Sequence, residues 1–351
     1  ACAPPAAAFE DSTAESIAAE AGLDSISNPA VDEQELKGEK KINLFSKLFG
    51  FVTEAFSRST GSALGCFAAI LSILVLSSIL ASLKWTTSNP ALHTAYEYIS
   101  VLALSGVVFA QLSGVFEVVR QSLETLNTYM SALLPVTSSL YVFGGNTGAA
   151  TASNASMLLF FSILSTIAAK VLLPFLQVAF ALALASALPG TVNLAPISTL
   201  VRNTTTTLLA FLFSILGFMM YLQTVIAAAS DNYVYRTVRF ASGVLVPVIG
   251  SMLGDAARTV VGSVGVIKSV VGAVGITVIL SILIPPLVAI ILYKLAVLGG
   301  GIIGRILGCE RESKLLYDIS GILNVVIALT VGTAVVLIIA MAVFIRIGVS
   351  V

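Results

Sequence analysis

Residues 245–275 read LVPVIGSMLGDAARTVVGSVGVIKSVVGAVG. The stretch is apolar enough to enter a membrane. It also carries Pro247, six glycines, Asp255, Arg258 and Lys268. A plain membrane anchor needs none of these. In hydrocarbon every backbone polar group needs a partner, so a broken helix is tolerated only inside protein or beside a water-filled cavity. A charge at the bilayer centre costs about 2.5–3.5 kcal/mol on insertion scales, so such residues face a bundle interior or a pathway. The segment therefore reads as broken or re-entrant over 245–272, and the rest of the chain as a membrane scaffold around it.

Composition supports this. The 351 residues are 57% hydrophobic and 10% charged, with mean hydropathy +1.01. Soluble domains carry about 25% charged residues. The expected fold is an all-α polytopic bundle of about six to eight membrane segments. Formal net charge is zero, which leaves no nucleic-acid footprint. Cys2, Cys66 and Cys309 are scattered, and His93 is the sole histidine. They supply neither a disulfide framework nor a metal site, so no metal and no cofactor is expected. Gly299-Gly300-Gly301-Ile302-Ile303-Gly304 formally matches GxGxxG, but it follows a membrane span and not a strand. The chain holds no Walker A lysine, HExxH or Ser-His-Asp set. It is not expected to be an enzyme, and an ATP-driven step would need a separate subunit.

Three domains are expected. Residues 1–40 are rich in Ala, Ser and acids and read as an extramembrane arm. In 41–60, Leu44, Phe45, Leu48, Phe49, Val52 and Phe56 recur at helical spacing, as in an amphipathic helix lying on the membrane. Residues 61–351 form the membrane domain. Spans are expected near 63–83, 98–119, 156–188, 205–229, 274–298 and 319–347. The Gly- and Asn-rich stretch after Pro135 makes 133–154 a second re-entrant segment. Lys170 and Pro174 interrupt 156–188, which reads as one kinked helix or two shorter ones. Pro285-Pro286 break the 274–298 span. Residues 299–318, with Glu310, Arg311 and Glu312, read as the largest late loop.

Ala1-Cys2-Ala3 resembles the end of a cleaved signal peptide, with a lipidated Cys2 as the alternative. The signal reading puts the N-terminus outside the cytoplasm. Lys40, Lys41, Lys47 and Arg58 before the first span favour the opposite orientation.

An internal echo runs through the chain. LLPVTSSL at 133–140 aligns with LVPVIGSM at 245–252, an offset of 112 residues. The same offset pairs Phe109 with Tyr221, Gln111 with Gln223 and Pro135 with Pro247. Corresponding Gly/Pro-interrupted segments point to substrate sites in transporters; chance coincidence is the plainer account.

Gly254, Arg258, Gly262, Gly265, Ser269 and Gly272 fall on one helical face. The plain reading is a close-packed seam that also uses Gly250. The sharper one is a polar path with Arg258 on it, paired to Asp255 at i, i+3. Lys170, Lys268, Arg236 and Arg239 complete the candidate pathway or gating residues. Ordinary interfacial charge is the plainer reading of Arg236 and Arg239.

From Gly145-Asn146-Thr147 through RTVRFASGVLVPVIGSMLGDAARTVVGSVGVIKSVVG at 236–272, the chain resembles the stage III sporulation protein AE family. The likeness spans roughly 95–350. Arg236, Thr237, Phe240, Pro247, Val248, Gly250, Asp255, Thr259, Val260, Lys268 and Gly272 carry it most closely. The resemblance implies a multi-pass protein of the mother-cell membrane around the forespore, within a channel or secretion-like complex. Its implied partners are a cytoplasmic secretion-type ATPase, small ring-forming membrane proteins, a forespore protein and membrane lipids, with homo-oligomers compatible. It implies no catalytic residue. Three functions are expected from these readings: a conduit or core of that complex, an autonomous permease, or a scaffold whose glycine seam packs other subunits.

Overall fold

Apolar runs of this length can satisfy their backbone in hydrocarbon as helices. In the computed structural model the described residues, 44–82, 90–143, 161–188, 194–245 and 250–346, are helical but for short turns and helix ends. Six helices follow: α1 Leu44–Ser82, α2 Pro90–Phe143, α3 Phe161–Ala187, α4 Ala195–Leu245, α5 Gly250–Ile306 and α6 Glu310–Arg346. Each contains a stretch long and apolar enough to cross a membrane. The chain is an all-α polytopic membrane protein.

The helices are longer than the spans read from sequence. The boundary expected between a surface helix at 41–60 and a span at 63–83 is absent, because α1 runs through it. Gly61 and Gly65 do not break it. Glu54 and Arg58 pair at 2.6 Å one turn apart, and the Thr53 hydroxyl donates to the Phe49 carbonyl at 2.9 Å. Phe49, Val52 and Phe56 remain exposed.

The re-entrant reading of 133–154 is also corrected as far as Phe143. Pro135 lies inside α2, which continues unbroken from Pro90; residues 144–160 lie outside the described residues. Helix α4 starts at Ala195, ten residues ahead of the span expected at 205–229. Helix α5 is continuous from Gly250 to Ile306, so no break falls between 272 and 274 or at Pro285-Pro286. Each interior proline removes a hydrogen bond, at about 3 kcal/mol. Packing on both sides outweighs that: α5 is the central helix and lies against α6, α1 and α2.

Residues 156–188 resolve as a single helical run over 161–187, with a π turn at Ala168–Leu172. Pro174 explains the turn. It has no N–H to give, and the extra residue places it in the first turn of the next α segment, where an N–H is unpaired anyway. The Leu173 N–H reaches five residues back to the Ala168 carbonyl.

Close approach at the centre relies on glycine. Gly300 and Gly304 face Ile70 and Leu74 of α1, while Gly301 faces Leu316 of α6. The Ser313 hydroxyl donates to the Gly301 carbonyl at 2.7 Å across that seam. The GxGxxG match is thus a packing motif between membrane helices. Around it the core is Leu, Ile, Val and Phe from all six helices, including Ile70, Leu112, Phe116, Leu172, Leu216, Ile290 and Leu316.

Candidate functional site

The late loop expected at 299–318 is a tight helix–helix turn. The Cys309 N–H reaches the Gly304 carbonyl at 2.9 Å and the Gly308 N–H the Arg305 carbonyl at 3.3 Å. Gly308 has φ +78°, a left-handed conformation that glycine adopts without penalty. This is the Schellman arrangement at a helix C-terminus. Glu310 and Glu312 then fall in the first turn of α6, where the helix dipole favours acids.

The turn presents Glu312 inward. The residue is 6% exposed. A carboxylate taken out of water needs hydrogen-bond donors. Ser77 of α1 donates to Glu312 Oε1 at 2.8 Å, and Ser100 of α2 donates to the same oxygen at 2.6 Å. One side chain therefore ties three helices together. The Ser78 hydroxyl caps the Leu307 carbonyl at 3.2 Å, and the Cys309 thiol points to the Leu74 carbonyl at 3.7 Å. Beside Glu312 lies a cavity of about 220 Å³, with Tyr96, Glu97, Ser100, Glu310 and Arg311 on its wall. Arg311 stands 3.6 Å from Glu97.

One further polar tie joins α2 to α3, and a charged network runs along α2 itself. Asn127 Oδ1 of α2 accepts from Ser165 at 2.9 Å and Ser162 at 3.3 Å, both on α3. Arg120 bonds Glu117 at 2.9 Å and Glu124 at 2.8 Å along the half-exposed face of α2. Gly321 of α6 leaves room for the Arg202 guanidinium of α4. Buried Thr277, Thr330 and Thr333 return their hydroxyls to carbonyls of their own helices.

The residues singled out from sequence fall elsewhere. Arg236 and Arg239 are on the C-terminal part of α4; Asp255, Arg258 and Lys268 are on the N-terminal part of α5, as are Gly250, Gly254, Gly262 and Gly265. Their backbone is helical, and their side chains lie outside the described residues. Pro247 lies outside them altogether. Gly272 is buried. Lys170 is exposed on the π turn, and among the described residues no carboxylate pairs with it. Pro285 is exposed and Pro286 buried.

Sequence reading missed the Glu312 knot. Glu312 looked like one of several loop charges, and Ser77 and Ser100 like ordinary span serines. The available signal was Leu307-Gly308 followed by acids, which marks a helix stop and restart.

The family model for stage III sporulation protein AE matches residues 29–348. The chain belongs to the stage III sporulation protein AE family. A curated member from Bacillus subtilis (strain 168), "Stage III sporulation protein AE", is 25% identical over 269 residues. The aligned region is 74% of this chain and 65% of that relative, so the match spans just under two thirds of the relative's length. No solved structure matches the chain. The family match extends well N-terminal of the 95–350 region that carries the resemblance in sequence.

Proposed function

We propose that this family member is a membrane-embedded, non-enzymatic component of a channel complex between mother cell and forespore, in the mother-cell membrane. The pathway itself would be built where the 245–272 segment meets other subunits. Membership of the sporulation family and six helices fit to span a membrane support the first statement. The observation that carries the second is the length of α5. Its 57 residues extend about 85 Å, against a hydrocarbon core of about 30 Å. A core of that thickness takes about 20 of those residues, so if the span ends near the α5–α6 turn at Ile306, Asp255 and Arg258 lie on the N-terminal part of α5 beyond it. The charges then project from the membrane and cost little. They are placed for ring-forming partners or for a second copy of the chain, and a cytoplasmic secretion-type ATPase would supply the driving energy.

A second reading, an autonomous permease, draws on the echo at offset 112. In both halves a long helix, α2 or α4, precedes a spanning one, α3 or α5. Helix α2 runs through Pro135 without a break, whereas Pro247 lies outside the described residues.

Single cysteines across 245–275, in an otherwise Cys-free chain in membranes, test the proposal. Labelling by a water-soluble thiol reagent at 254, 258, 262, 265 and 269, with their neighbours silent, is the expected result. A wholly unlabelled stretch would make it a dry seam and the chain a scaffold. Solute flux through liposomes holding the purified chain alone would favour the permease.

A further inference from the structure

We propose that the cavity beside Glu312 is a binding site for the headgroup of an aminophospholipid, its primary ammonium on Glu312 and its phosphate on Arg311. This is independent of the channel reading. The cavity lies at the turn between α5 and α6, against the C-terminal part of α1 and the N-terminal part of α2. Helix ends of this kind lie at headgroup depth.

The cavity is built to take a hydrogen-bonding cation. Glu312 is 6% exposed and lines it. Both serine hydroxyls converge on Oε1, and among the described residues no hydrogen bond reaches Oε2. A carboxylate accepts at both oxygens, so the second is open to a donor from the cavity. Glu97 and Glu310 add negative charge to the wall. The Arg311 guanidinium, half-exposed at the rim, matches a phosphate. Acid within and base at the rim is the complement of a zwitterion.

The ligand chemistry supplies its own control. Phosphatidylethanolamine carries N–H donors, phosphatidylcholine presents the same charge without them, and phosphatidylglycerol has no cation. The purified full chain would be exposed to an equimolar mixture of the three with identical acyl chains, and bound lipid counted by native mass spectrometry. The expected result is retention of the ethanolamine lipid several-fold over the choline lipid. Glu312→Gln should abolish that ratio, and Arg311→Gln should lower retention of all three. Ala81→Leu narrows the cavity without touching the carboxylate and should also abolish the ratio, which covers a Glu312 variant that fails to fold. Equal retention of ethanolamine and choline lipids by the unaltered chain would overturn the proposal. So would an unchanged ratio in a folded Glu312→Gln or Ala81→Leu chain. Thermal stabilisation by free ethanolamine without lipid retention would mark a soluble-amine site and overturn the lipid assignment.

Discussion

Gly300 shows how far single atoms decide this bundle. A Cβ built on it would stand 2.6 Å from Ile70 Cγ2, and Ile70 is fully buried and branched at Cβ, with little room to yield. Gly300→Ala should therefore destabilise the chain by about 1–3 kcal/mol, as overpacking does. Gly114, on α2, has nothing within 4 Å of its Cβ position. Gly114→Ala should stabilise the helix by about 0.5–1 kcal/mol. Thermal unfolding of the two variants in one detergent checks the contrast, and equal effects would contradict the seam. At Glu312 the logic is polar. Its loss would strand the Ser77 donor between helices, while Ser100 keeps the Glu97 carbonyl at 3.3 Å, and an unsatisfied buried group costs about 1–3 kcal/mol.

At the scale of elements, α3 is the most informative. Its π turn holds one residue more than an α turn would. Deleting Lys170 should convert the turn to regular α-helix and keep Leu176, Ala179, Phe180 and Ala183 on their buried face. Deleting Ala181 from the regular part should turn the residues after it by about 100° and expose Ala183 and Leu184. Folded yield in membranes and unfolding temperature read the difference. The deletion of Lys170 should leave the chain folded but weakened by about 3 kcal/mol, since Pro174 becomes an interior proline, whereas that of Ala181 should not fold. Lys170 and Pro174 stand out in the sequence, yet the turn they produce does not. Proline predicts a disturbance, while the form it takes depends on keeping both flanks packed against α2, α4 and α6.

For the whole molecule, the core is closed where the two described cysteines lie. Cys66 is 0% exposed and Cys309 4%. A membrane-permeant maleimide should label both at least about tenfold more slowly in the native chain than after denaturation, because reaction requires opening of the bundle. Rapid native labelling of Cys309 would mean that the α5–α6 turn opens freely. The same protection lets a cysteine scan of 245–275 be read against a quiet background.

A helical bundle of about six to eight membrane segments follows from the sequence alone, because about 20 apolar residues in hydrocarbon have one stable backbone; that six helices among the described residues are fit to span follows from the structure. The family is legible for the same local reason: RTVRFASGVLVPVIGSMLGD and its neighbours are a contiguous string. Helix ends were not legible. Gly61, Pro135, Pro285 and Pro286 are local breakers, yet the helices pass through them; at Pro285-Pro286 the packing of α5 exceeds the cost of a lost hydrogen bond, while Gly61 keeps its N–H and costs only about 1 kcal/mol. The Glu312 site was hidden more deeply. Ser77, Ser100 and Glu312 are separated by 235 and 212 residues in their hydrogen-bonded pairs, and no periodicity links them. Membrane insertion was set by what each segment is made of. The polar site was decided by which helix ends the packed bundle brings together.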